Sequence, residues 1–241
     1  MNRRMLMLMA LVCLIFAAGA EGRQRIAARM PFDTRRILWI AAHPDDELLI
    51  APLLGSLCVE AASQCSIIVA TRGENGPCEL PAGCTDLGTL REQEMRAAAA
   101  MFRATLTQWM YPDAMSGFDT AWPHDEIEAK LRGEIALARP TVIITFDPRH
   151  GSTLHPAHEL IGALALEASA DVDVWMVETI ASLSDRYHFA PAGPAIAIDA
   201  RRTWHYLTDD AALHATQFST DTLTSLRSTP DGERVVYLAR H

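Results

Sequence analysis

Apolar runs rich in β-branched residues alternate along this chain with longer stretches whose apolar positions recur at helical spacing. No other feature narrows the possible folds as much. RILWIAA (residues 36–42), SIIVATR (66–72), TQWMYP (107–112), TVIITF (141–146) and DVWMVET (173–179) read as strands. The segments 46–62, 87–104, 125–138 and 156–170 between them read as helices. A strand that is apolar on both faces must be covered on both, and strands joined through helices run parallel. Beyond residue 180 the pattern weakens. AIAID (195–199) and RVVYLA (234–239) predict two further strands, with a helix near 209–218 and the last strand antiparallel at an edge.

The expected fold class is therefore α/β, a Rossmann-like, mostly parallel sheet with helices on both faces. Arg3 and Arg4 precede an apolar block that gives way to Ala17, Ala18, Gly19, Ala20 and Glu21, the pattern of a secretory signal over residues 1–20. The block is short for a permanent anchor. Val12 before Cys13 stands where lipid attachment would want a small residue, so no stable membrane anchor is predicted. Residues 21–241 then form a single domain, exported to a periplasmic or secreted location. The net charge of -9 is evenly spread, which excludes the basic face that nucleic acid requires.

Of five cysteines, Cys13 falls in the signal, leaving Cys58, Cys65, Cys78 and Cys84. An even number in an oxidising compartment predicts disulfides. Pairing Cys58 with Cys65 and Cys78 with Cys84 closes short loops at element edges. A four-thiolate zinc site would favour paired C-x-x-C spacing, which is absent here.

Ligands of open α/β sheets sit outside the carboxyl ends of the strands. Three segments follow strands and carry chemistry: His43 to Glu47, Arg72 to Asn75, and the loop from Asp147 to His158. In AHPDDE (42–47) the carboxylates also suit a helix start, where they oppose the dipole and accept from free N–H groups. Their spacing supports a second reading, in which His43 and Asp46 straddle the turn and converge on one cation. A catalytic zinc takes three protein ligands and leaves one position open, so a third must come from elsewhere. His155 and His158, three apart at a predicted helix start, offer it from the same rim.

These segments resemble the LmbE-like, or PIG-L-type, zinc-dependent N-deacetylases. AHPDDE followed far downstream by H-x-x-H carries the resemblance, TRGENG (71–76) is similar to the family's T-x-G-E-x-G loop, and Arg91 with Glu94 to its R-x-x-E helix. The resemblance implies zinc ligands at His43, Asp46 and His158. It implies that Asp45 is the general base and that His155 steadies the oxyanion or protonates the leaving amine. The implied reaction is hydrolysis of an acetyl, or other small acyl, group from the nitrogen of an N-acetylglucosaminyl-type substrate. Arg91 is expected to bind that substrate, and Arg72 and Glu74 are weaker candidates at the crevice rim.

One position departs from the family pattern, Ala157 standing where H-x-D-H would have aspartate. That aspartate orients and charges the catalytic histidine, and Asp147 is the candidate to compensate. Trp122 and Trp175 are candidates for stacking on a sugar or for packing. His124, His188, His205 and His214 receive no role. Two rival functions remain: an amidase for larger N-acyl conjugates, and a zinc-containing carbohydrate-binding protein without turnover.

Overall fold

The computed structural model describes residues 30–113, 121–180 and 195–241. The expected signal segment, residues 1–20, and His188 lie outside them. The described strands form one seven-stranded sheet. β1 (Arg36–Ala41), β2 (Gln64–Thr71), β3 (Thr105–Tyr111), β4 (Val142–Phe146), β5 (Asp173–Ile180), β6 (Ala195–Asp199) and β7 (Val235–Arg240) lie in the order β3-β2-β1-β4-β5-β7-β6. The first five are mutually parallel, with Leu38 opposite Ser66 on one side and Ile143 on the other. β7 is antiparallel to both β5 and β6. It therefore lies inside the sheet, and β6, not the last strand, forms that edge.

β1 and β4 are buried almost throughout, as their unbroken apolar runs require. Each fully buried leucine or isoleucine side chain contributes about 1.5–3 kcal/mol over its exposed state. Trp39 of β1 packs on Phe146 of β4 with ring centroids 5.2 Å apart. One face carries α3 (His124–Ala138) and α4 (Pro156–Ala168), which pack on each other and on β1. The other carries α1 (Ala51–Leu54), α2 (Leu87–Met101) and α5 (Trp204–Leu213), with α6 (Thr220–Arg227) against α5.

The segment expected as one helix over 46–62 is a 3-10 turn (Asp46–Ile50), the short α1, and a π turn (Gly55–Glu60). Pro52 marks the first turn of α1, where its missing N–H costs nothing. The helix expected over 209–218 is shifted to Trp204–Leu213. Disulfides join Cys58 to Cys65 and Cys78 to Cys84, with S–S distances of 1.99 and 2.01 Å. Among the described residues no helix is long and apolar enough to cross a membrane. Trp122 and Trp175 are core residues, the former donating to Pro112 O at 3.0 Å and the latter packing on Phe32.

Candidate metal centre

Strand order reverses between β1 and β4, which opens a crevice at their carboxyl ends. His43 to Glu47 enter it from β1. Asp45 takes φ of 86°, in the left-handed region, so the chain folds sharply back. Asp46 Oδ2 then accepts the backbone N–H groups of Ala42 and His43 at 2.9 and 2.7 Å. Its other oxygen lies 3.0 Å from His158 Nε2. His43 Nδ1 is 3.1 Å from the same His158 nitrogen and 3.6 Å from Asp46 Oδ2.

The outer partners decide where the imidazole protons sit. His158 Nδ1 faces Gly151 O at 3.2 Å and Thr153 Oγ1 at 2.8 Å. A carbonyl only accepts, so Nδ1 carries the proton and Nε2 turns a lone pair to the crevice. His43 Nε2 stands 3.4 Å from Asp113 Oδ1, a charge contact longer than a hydrogen bond that favours the proton on Nε2 and the lone pair on Nδ1. Two lone pairs and a carboxylate oxygen thus meet at one point, an arrangement that calls for a cation or a proton. Tetrahedral zinc, with bonds of about 2.0–2.1 Å, sets its ligand atoms roughly 3.3–3.4 Å apart. His158 Nε2 lies 3.0 Å from Asp46 Oδ1 and 3.1 Å from His43 Nδ1, both close to that value, and His43 Nδ1 lies 3.6 Å from the other Asp46 oxygen, so the donor set fits zinc.

Electrostatics agree. Burial opposes charge on His43, but Asp113 and Asp46 outweigh it and raise its pKa to about 9. Burial likewise pushes the Asp46 carboxyl up, and His158 and His43 overcome it and hold the group well below the usual range. His158 is locked in place by stacking on Phe146 at 4.0 Å and 8°. Gly151 has φ of 57°, and a Cβ there would stand 2.7 Å from His158 Cβ, so the loop reaches the ligand only as glycine.

His155 flanks the three donors, and Asp45 precedes Asp46 in the turn. Burial raises the Asp45 carboxyl to about 6, with Arg91 pulling it down and Asp46 pushing it up. His155 lies with its ring centroid 4.7 Å from that of His43 and 4.9 Å from that of His158. Burial, then those two imidazoles, lower its pKa to about 4. Its Nδ1 accepts the Ala157 N–H at 3.2 Å, capping α4, so the neutral ring carries its proton on Nε2. His43, His155 and His158 also form a three-nitrogen cluster within 4.8 Å. Asp46 is the better third ligand, because it brings negative charge, whereas the His155 nitrogen that is left carries a proton and not a lone pair.

Arg91, expected at the substrate, is directed inward. It is buried, pairs with Asp45 Oδ1 at 2.9 Å, and donates to Gly73 O at 2.9 Å and to Pro44 O. Glycines of the 71–76 loop make room for it, since a Cβ on Gly73 or Gly76 would lie 2.3 or 2.5 Å from its Nη1. Glu74 accepts the Asp113 N–H at 3.0 Å, and Arg72 pairs with Glu92 and Asp86. Asp147 pairs with Arg149 at 2.8 Å and stands 3.5 Å from His150 Nε2.

Asp113 was not singled out in the sequence, although it stands just past the carboxyl end of β3, where the rim rule would have found it. Asn75 N–H donates to its Oδ2 at 3.1 Å. The 71–76 loop thus aims Asp113 at His43 while caging Arg91 against Asp45.

Residues 38–169 match the family described as PIG-L, GlcNAc-PI de-N-acetylase. The chain belongs to this family. Among curated relatives, a 1D-myo-inositol 2-acetamido-2-deoxy-alpha-D-glucopyranoside deacetylase of Thermomonospora curvata is 33% identical over 146 residues, covering 52% of this chain and 48% of its own. The chain spans about half the length of the first such relatives it matches. The fold is shared with N,N'-diacetylchitobiose deacetylase from Pyrococcus horikoshii, at TM-score 0.67 and 16% identity, covering 86% of this chain and 84% of that one. It is shared equally with a 4-carboxy-2-hydroxymuconate hydratase from Pseudomonas putida, at TM-score 0.64 and 14% identity over 86% and 95% of the two chains. The PIG-L fold alone therefore does not fix the reaction; the site residues must.

Proposed function

We propose that this chain is a zinc-dependent hydrolase that removes an acetyl, or other small acyl, group from the nitrogen of an N-acetylglucosaminyl-type substrate. The observation that carries this reading is the convergence of His43, Asp46 and His158, with His155 beside them and Asp45 next to Asp46 in the turn, held by Arg91. His43, Asp46 and His158 would hold the metal. Bound there, zinc supplies Lewis acidity to polarise the acyl carbonyl and to bring the pKa of water to about 7.

Asp45, gripped by Arg91, takes a proton from the attacking water and can return it to the departing amine. The His155 Nε2–H is a neutral donor suited to the oxygen on which negative charge develops. The Ala157 N–H on its other nitrogen supports oxyanion stabilisation over amine protonation. The product pair is the free amine and the carboxylate, with the C–N bond broken and one water consumed. Export behind the signal segment belongs to the same reading, and the two disulfides support it.

Acetate release from N,N'-diacetylchitobiose and from a glucosaminyl-inositol bearing an N-acetyl group, with and without added zinc, tests the proposal. Zinc-dependent release from at least one of them is expected. Release only from longer N-acyl chains would favour the amidase, and zinc uptake with no release from any would favour the binding protein.

A further inference from the structure

Behind the carboxylate turn lies a second buried cluster that the proposed chemistry does not use. Glu47, Asp210 and His214 have no exposed surface. Glu47 Oε1 is 2.6 Å from His214 Nε2, and Asp210 Oδ1 is 3.8 Å from that nitrogen. His214 Nδ1 stands 4.0 Å from Glu94 Oε2 on α2. Glu94 in turn accepts the Thr216 N–H at 2.8 Å and its hydroxyl at 2.6 Å. Gln217 donates to Pro77 O at 2.8 Å, and the Glu79 N–H donates to Thr216 O at 2.8 Å.

The segment from His214 to Gln217, beyond the stretch matched to the family, therefore bonds to three parts of the site's support. It meets the turn through Glu47, the helix of Arg91 through Glu94, and the chain following the Arg91 cage through Pro77 and Glu79. We propose that His214, acting through Glu47, is a positioning residue that fixes the turn carrying Asp45 and Asp46. The inference rests on the metal site proposed above.

Three His, Asp and Glu side chains in a buried cluster also raise the question of a second cation. The distance argues against one. Two ligands of a single zinc lie about 3.3 Å apart, whereas 2.6 Å is a charge-assisted hydrogen bond. Burial opposes charge on His214, yet Glu47 and Asp210 outweigh it and hold the group up at about 9. Burial and the Glu47 charge push Asp210 well above the carboxylate range. The 2.6 Å bond from His214 is the hydrogen bond that the buried Glu47 carboxylate accepts among the described residues. Removing His214 strands a buried carboxylate one residue from Asp46, and the turn must shift to find it a partner.

Zinc affinity, measured by competition with a chromophoric chelator, tests this on the full chain with His214→Leu, Glu47→Gln and the double variant. Variants of partners outside the ligand set typically lose 10–100-fold in metal affinity, and His214→Leu is expected to lose roughly tenfold. The double variant, in which no charge is stranded, should bind zinc more tightly than His214→Leu alone. Unchanged affinity in His214→Leu would overturn the proposal, as would a double variant whose loss is the product of the single losses. If His214→Leu does not fold, a folded double variant supports the stranded charge as the lesion; failure of both to fold overturns it. Two zinc ions per wild-type chain, one lost on His214→Leu, would replace it with a second metal site. A wild-type chain that binds zinc but releases no acetate ends the functional reading alone.

Discussion

Asp45 and Asp46 are neighbours in sequence and opposites in environment. Asp46 turns back to accept two backbone N–H groups and offers its free oxygen to the metal donors, while Asp45, at φ of 86°, pairs with Arg91. A chain read as letters shows two aspartates in a row. That their side chains diverge was foreseeable from the turn; that Arg91 would be the partner of one was not, because the contact crosses 46 residues and depends on glycines that clear its path. Asp113 differs, since its place just past the carboxyl end of β3 was legible. Its role, though, is set by one contact to His43 Nε2, which position alone does not announce. If Asp113 fixes the His43 tautomer, Asp113→Ala should weaken zinc binding about 10–100-fold with little change in thermal midpoint. Chelator competition beside a melting curve reads both, and an unchanged affinity would remove Asp113 from the site.

Among the elements, the strands of the sheet centre were the most legible. β1 and β4 are buried over nearly their whole length, and continuous apolar runs announce that directly. α6 went unseen because it is short and its apolar face is two leucines, Leu223 and Leu226, which pack on the core without being fully buried. α5 begins five residues earlier than the expected helix because Trp204, buried at its first position, anchors it. The first helical segment breaks into three kinds of turn where the Asp46 side chain draws the chain back and Pro52 resets it. The 71–76 loop tests the link from element to site. Gly73→Ala puts a Cβ into the left-handed region, at φ of 64°, and 2.3 Å from Arg91 Nη1. The variant should lose about 1 kcal/mol of stability for the backbone strain. It should also lose up to about a hundredfold in turnover as Arg91 is pushed from Asp45, with zinc content intact, the scale of a catalytic group misplaced by about 1 Å. Full turnover would mean that Arg91 does not position Asp45.

At the scale of the whole molecule, the parallel sheet with covered faces and its reversal between β1 and β4 bring the candidate residues to the rim that the sequence indicated. The C-terminal third was the least legible. His214 looked like a lone histidine, yet it faces Glu47 of the first turn, Asp210 of its own helix, Glu94 of α2 and the charge of Asp45. Its folded pKa, raised to about 9, fixes the sign of a pH effect. The stabilisation is complete below about pH 6.5 and is lost as pH rises through about 9, on the order of 3 kcal/mol in all. The difference in urea stability between the wild type and His214→Gln should therefore shrink from about pH 6 to about pH 10. A constant difference across that range would mean that His214 is not charged in the folded chain.

In the proposed function one aspartate of the pair holds the metal and the other moves the proton. Zinc content and acetate release, measured together on Asp46→Ala and Asp45→Asn, address it most directly. Asp46→Ala should lose the metal. Asp45→Asn should retain it and fall by about two to four orders of magnitude in turnover, the scale of general acid–base catalysis. Loss of zinc from Asp45→Asn with retention in Asp46→Ala would reverse the two roles.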